Sequence, residues 1–166
     1  MNKTTLIFLI FCSLFALGWT AYKYLSSAKD PVFADIIVHK SDSDQNVSLA
    51  SLQGKATIVA FFQTWCGDCI REMPTLLNLQ DQLATPNLKI IMVTDEPIEK
   101  INAFKNRFPN LRFDYYISQK RLPEMGIRKY PTTYLLDSQS NIKLRTFEGY
   151  DWSSAQSVEL VKTLLK

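Results

Sequence analysis

The apolar positions of this chain fall into two regimes. From Leu6 to Ala21 the run LIFLIFCSLFALGWTA carries no charge and is bracketed by Lys3 and Lys23. A helix rises about 1.5 Å per residue, so Thr4 to Leu25 would roughly cross a hydrocarbon core about 30 Å thick. Residues 1–25 are therefore expected to form an N-terminal membrane anchor or uncleaved signal. A cleaved signal peptide is the competing reading, because Ser26, Ser27 and Ala28 are small residues of the kind a signal peptidase accepts. Both readings export the remainder of the chain. Residues 26–33, SSAKDPVF, are small, polar and contain Pro, which suits a linker, and a folded domain is expected over 34–166.

Within that domain the pattern alternates between two periods. ADIIVH (34–39) and VSLASLQGK (47–55) read as short or weak strands around a polar turn. ATIVAFF (56–62) is a continuous β-branched and aromatic run, the composition of a central strand buried on both faces. Met73, Leu76, Leu77, Leu79 and Leu83 then recur at helical spacing to about Ala84, with Pro74 inside the helix as a predicted kink. LKIIMVTD (88–95) is a second buried strand. Pro97 opens a helix whose apolar face is Ile98, Ile101, Phe104 and Phe108. FDYYIS (113–118) adds a strand, and a short helical stretch spans Gln119 to Met125. TTYLLD and IKLRTFEG, separated by SQSN, predict an antiparallel hairpin, and a last helix is expected from about Ser153 to Leu165. The β, α, β, α order followed by a hairpin predicts an α/β domain with a central mixed sheet flanked by helices.

Charge narrows the function classes. Of 19 basic residues, Lys3, Lys23 and Lys29 belong to the N-terminal segment and linker, leaving 16 against 16 acidic residues. A near-neutral domain gives no case for nucleic-acid binding. The 46% apolar content supports a core that needs no disulfide scaffold. Cys12 lies inside the apolar segment between Phe11 and Ser13, and no role is assigned to it. A lipid-modified cysteine would follow a small residue and end the run.

The other two cysteines, Cys66 and Cys69, stand three apart in FFQTWCGDCIREMP. Zinc would need four protein ligands, or three and a water, and only Cys12 and His39 remain to supply them; no metal is expected. A structural bridge closing so short a loop would stabilise little, since the loop-entropy gain grows with length. Redox chemistry is the favoured role. Cys66 follows a buried strand and falls at the start of the next helix, where unpaired N–H groups and the dipole favour a thiolate. Cys66 is thus the predicted attacking sulfur. Cys69, about one turn on, is placed to resolve the mixed disulfide. Trp65 is expected to shield the pair from one side.

WCGDC, Pro74 five residues beyond it and the later YPTTYLLD together resemble the thioredoxin superfamily. GKATIVAFFQTWCGDCIREMP is most similar to the membrane-anchored TlpA/ResA-like thiol:disulfide oxidoreductases, with Gly54, Lys55, Phe61, Thr64, Trp65, Cys66, Cys69, Glu72 and Pro74 at the family's positions. The similarity spans about residues 47–165 and implies a thioredoxin-like fold. It also implies that Pro131 is a cis-proline facing the cysteine pair. With Trp65, Tyr130 and Thr132, Pro131 would then bind the client's extended backbone. Glu72 matches the acidic residue near the buried cysteine and would relay its proton; a solvent-facing Glu favouring the helix dipole is the alternative. Thioredoxin itself carries a buried Asp where this chain has Ala60, and many relatives have Pro where it has Asp68. Gly67 and Asp68 are accordingly read as tuning the pair. The Asp68 carboxylate is expected to raise the Cys66 thiol pKa by about one unit and lower the potential.

The leading function is an extracytoplasmic thiol:disulfide oxidoreductase that uses no cofactor beyond the Cys66–Cys69 dithiol and reduces disulfides in exported proteins. The resemblance suggests apocytochrome c or copper-site assembly proteins as clients and a membrane electron donor for re-reduction. It also suggests a location on the outer face of the cell membrane, or in the periplasm after cleavage. The alternative is a copper-handling module in which two soft thiolates hold Cu(I), with Met73 the nearest further sulfur. A peroxidase reading lacks the Thr and Cys spacing of peroxiredoxins.

Overall fold

Residues 56–61 form the centre of the sheet because both faces of that strand are apolar. In the computed structural model, which describes residues 30–166 and, before them, the helical Ser13, Phe15, Leu17 and Trp19, all six positions of β3 (Ala56–Phe61) are buried. The expected membrane segment as a whole, Cys12 and most of the expected linker lie outside the described residues. Among the described residues no helix is long and apolar enough to cross a membrane. The chain divides into two compact units, Met1–Asp30 and Pro31–Lys166, and the second holds the sheet.

Seven strands lie in the order β2-β1-β5-β4-β3-β6-β7. They are β1 (Ile37–Lys40), β2 (Asn46–Ser48), β3, β4 (Leu88–Thr94), β5 (Asp114–Ser118), β6 (Thr132–Asp137) and β7 (Ile142–Phe147). β4 runs parallel to β3 and to β5, whereas β6 is antiparallel to both β3 and β7, so the sheet is mixed. Three helices accompany it: α1 (Gly67–Leu83), α2 (Ile98–Arg107) and α3 (Ala155–Leu165).

Successive strand residues point to opposite faces, and β3 divides accordingly. Ala56, Ile58 and Ala60 join Met73, Leu76 and Leu79 of α1, Ile101 and Phe104 of α2, and Val158 and Val161 of α3 in one core. Val59 and Phe61 face the other way, onto Phe33, Leu49, Leu122, Ile127 and Tyr134. The three helices thus feed a single core, and the opposite one is completed by short 3-10 turns.

Those turns are where the structure departs from the expected strands. ADIIVH begins as a 3-10 turn, Phe33–Asp35, because Phe33 drives into the core, edge-on to Tyr134 at 5.2 Å. Only from Ile37 does the chain pair as β1. VSLASLQGK keeps only Val47 and Ser48 in a strand and then turns as Leu49–Leu52, with Leu49 buried and its N–H bonded to the Ile36 carbonyl at 2.8 Å. The helical stretch after Gln119 shortens to a 3-10 turn, Leu122–Met125, ended by Gly126 at φ 87°, a backbone region that favours glycine. α1 continues through Pro74, which has no N–H to donate to the Ile70 carbonyl.

Candidate active site

The site is built where β3 ends. Phe62 still bonds the Val93 carbonyl, at 3.0 Å, after which the chain leaves the sheet. The next residues are fastened to the loop after β4: Gln63 Nε2 donates to Asp95 Oδ1 at 2.6 Å, and the Thr64 N–H and hydroxyl both donate to the Glu96 carboxylate. Asp95 uses its other oxygen to accept the Leu122 N–H at 2.9 Å. Glu96 is buried and also binds Lys100 Nζ at 3.2 Å. Its part was not foreseen from the sequence. An acidic pair directly after a buried parallel strand was the available signal, but only the fold shows that Glu96 turns inward.

Cys66 is the N-cap of α1, with extended backbone, and its Sγ accepts the Cys69 N–H at 3.2 Å. It is disulfide-bonded to Cys69. The pair therefore sits on the first turn of α1, where unpaired N–H groups stabilise negative charge on sulfur. Relative exposure is 6% for Cys66 and 2% for Cys69, so only one edge of the disulfide meets solvent.

Gly67 opens the helix. A Cβ there would meet Arg71 Nη1 at 3.6 Å, an ordinary contact, so nothing steric demands glycine. Asp68 is paired with Arg71 one turn along the helix, and both side chains reach solvent. Sequence reasoning treated Asp68 as an unopposed negative charge beside Cys66; the guanidinium is a partner it overlooked.

Glu72 faces inward. It is 2% exposed, which removes the solvent-facing alternative. Oε1 accepts the Trp152 indole N–H at 2.6 Å and Oε2 accepts the Thr133 hydroxyl at 3.2 Å. Burial pushes its pKa from 4.5 up to about 7, with the Trp152 and Thr133 hydrogen bonds pulling the other way. Trp152 and Thr133 were also missed. Strand parity gave a clue to Thr133, which shares a face of β6 with Leu135, a member of the helix-side core. Trp152 stands in a polar stretch before α3 and gave none.

Across the site, the Tyr130–Pro131 bond is cis. Thr132 pairs with Phe61, so Pro131 stands just beyond the end of β3 from which the cysteine loop departs. Tyr130 packs edge-on to Trp65 with centroids 6.1 Å apart, and Trp65 is 68% exposed. Thr132 is buried, its hydroxyl donating to the Lys129 carbonyl at 2.8 Å. Ala60 is buried in the same core as both cysteines, so the position that is Asp in thioredoxin offers no proton acceptor here.

A mixed sheet, a disulfide on the first turn of the helix after its central strand, and a cis-proline before the neighbouring strand define a thioredoxin-like thiol:disulfide oxidoreductase. More narrowly, the chain belongs to the AhpC/TSA family, whose profile matches residues 32–145. It is 32% identical over 135 residues to the thioredoxin-like protein YneN of Bacillus subtilis (strain 168), covering 76% of this chain and 78% of that protein. It is 27% identical over 152 residues to the thiol-disulfide oxidoreductase ResA of Bacillus thuringiensis (strain Al Hakam), covering 86% and 87%. Among solved structures, StoA from Bacillus subtilis aligns with a TM-score of 0.57 at 20% identity over 78% of this chain and 96% of StoA. A thiol:disulfide interchange protein from Bacteroides sp. aligns at 0.66 and 22% identity, over 82% and 92%.

Proposed function

We propose that this oxidoreductase works as a reductase of exported proteins, tethered to the outer face of the cell membrane by residues 1–25, with the dithiol as its only redox group. The observation that carries the chemistry is a helix-capping disulfide followed, one turn after Cys69, by a buried carboxyl whose pKa lies near 7. In the reduced protein the Cys66 thiolate attacks one sulfur of a client disulfide. That S–S bond breaks, a Cys66–client disulfide forms, and the departing client thiolate takes a proton. Cys69 then loses its proton, with Glu72 as the relay, and attacks Cys66 Sγ. The second client thiolate leaves and is protonated, the client has gained two electrons, and the Cys66–Cys69 disulfide is restored. A membrane donor of two electrons and two protons closes the cycle.

Pro131, flanked by Tyr130 and Thr132, would hold the client backbone, and Trp65 would cover the mixed disulfide. The family resemblance suggests apocytochrome c or copper-site assembly proteins, exported proteins that need free thiols, as the clients. Met73, which a copper-handling role would call on, is fully buried in the core.

The test is equilibration of the full chain in detergent against glutathione buffers, with an anaerobic Cu(I) titration alongside. Reversible two-electron behaviour and reduction of a peptide disulfide support the reductase. A pair that holds stoichiometric Cu(I) but leaves peptide disulfides intact overturns it.

A further inference from the structure

Trp65, the residue before Cys66, helps line a cleft of about 510 Å³ together with Tyr130, Pro97, Pro123, Lys100 and Arg121. Its two acids, Asp95 and Glu96, spend their oxygens inside the protein. Asp95 accepts from Gln63 and the Leu122 N–H, and Glu96 accepts from Thr64 and Lys100. Lys100 and Arg121 keep donors available at the cleft, and their two positive charges stand against the Asp95 and Glu96 carboxylates, each oxygen of which already accepts a hydrogen bond inside the protein. Lys100 gives one of its three donors to Glu96 and is half-exposed. Arg121 is exposed and makes no ion pair among the described residues. Its guanidinium offers a planar fork that matches a carboxylate.

Resting on the reductase reading above, we infer that this cleft selects clients by receiving an acidic side chain close in sequence to the client cysteine, with Arg121 as the determinant. Trp65 immediately precedes the attacking Cys66, so a client cysteine joined to Cys66 places its neighbours at the mouth of the cleft. An extended chain advances about 3.3 Å per residue, which puts side chains one to three residues from that cysteine within range.

The experiment uses reduced full-length protein in detergent and twelve peptides, each carried as a mixed disulfide with 2-mercaptoethanol. Each peptide has Glu or Gln at one of the three positions on either side of its cysteine. A neighbouring carboxylate alters a disulfide's own reactivity, so the readout is the Glu/Gln ratio of the single-turnover second-order rate constant in the wild type divided by the same ratio in Arg121→Gln. A value of about 2 to 5 at one or two positions is expected for a partly exposed ion pair, shrinking at 0.5 M salt. Arg121→Glu should turn the preference towards Gln at the same positions. A value of one at all six positions overturns the inference while leaving the reductase reading standing, provided the Gln peptides are reduced. Failure of the wild type to reduce any peptide, or bis(2-hydroxyethyl) disulfide, overturns both.

Discussion

Trp152 donates its indole N–H to Glu72 Oε1 across 2.6 Å, tying the loop before α3 to the helix that carries both cysteines. Both residues are buried. Thr75 reinforces the join by accepting the Trp152 backbone N–H at 3.1 Å. A carboxylate in such surroundings is costly unless it is hydrogen-bonded, and this contact is one of two that hold its pKa down against burial.

Trp152→Phe keeps an aromatic ring in the core and removes the N–H. A buried acceptor then loses its donor, at a cost of about 1 to 3 kcal/mol, and the Glu72 pKa should rise further. Urea unfolding of the oxidised protein at pH 8 measures the first effect, and the pH midpoint of the exchange rate measures the second. Equal stability and an unmoved midpoint would show that Glu72 gains nothing from the indole.

Glu72 itself makes stability depend on pH with a definite sign. Its folded pKa of about 7 lies above the ordinary 4.5, so between those values the native state binds more protons than the unfolded chain. The stabilisation is complete below pH 4.5 and is lost as pH rises through 7. The full swing is roughly 3 kcal/mol. Glu72→Gln should remove this slope, gaining stability relative to the wild type between pH 5 and pH 8. It should also slow resolution of mixed disulfides near neutral pH if Glu72 relays the Cys69 proton. Urea unfolding of both proteins at the two pH values gives the first answer; a constant difference between them would place the Glu72 pKa near its ordinary value.

How much of this was legible in the sequence varies with the kind of interaction. The buried strands β3 and β4 were plain because apolar runs report burial directly. The helix start at Cys66 followed from its place between the buried run ending at Phe62 and the helical spacing of Met73, Leu76 and Leu79. Where apolar residues pack through turns, as Phe33 and Leu49 do, composition suggested strand and tertiary contacts imposed 3-10 geometry. The polar half of the site was hardest. Glu96 to Thr64 and Glu72 to Trp152 join residues 32 and 80 positions apart, and no local pattern encodes which carboxylate turns inward. Arg71 was in plain view three residues from Asp68, yet its effect depends on the side-chain geometry of the pair.

Exchange chemistry should separate the two cysteines. Cys66→Ser removes the helix-capping sulfur and should abolish exchange, whereas Cys69→Ser should leave attack intact and strand clients as mixed disulfides. Non-reducing gels of cell extracts distinguish them. Trapped partners on Cys66→Ser but not on Cys69→Ser would reverse the assignment of attacking and resolving roles.

The last expectation concerns the pair between and after the cysteines. Asp68 alone would oppose a thiolate at Cys66, because like charges raise an acid's pKa. In the structure its carboxylate is engaged by Arg71, and both side chains are substantially solvated, so the two fields at Cys66 oppose each other. Destabilising the thiolate destabilises the reduced form and lowers the potential, at roughly 30 mV per pKa unit for two electrons. Asp68→Asn should therefore raise the potential, by less than the roughly 30 mV that an unpaired carboxylate shifting the thiol by one unit would give. Arg71→Gln exposes the carboxylate and should lower the potential by a similar amount. The double variant, neutral at both positions, should return close to the wild type. Glutathione titrations of the four proteins, with thiolate absorbance against pH, measure all of these shifts. If Arg71→Gln leaves the potential unchanged while Asp68→Asn moves it, the guanidinium does not shield Cys66 and Asp68 acts on the thiolate alone.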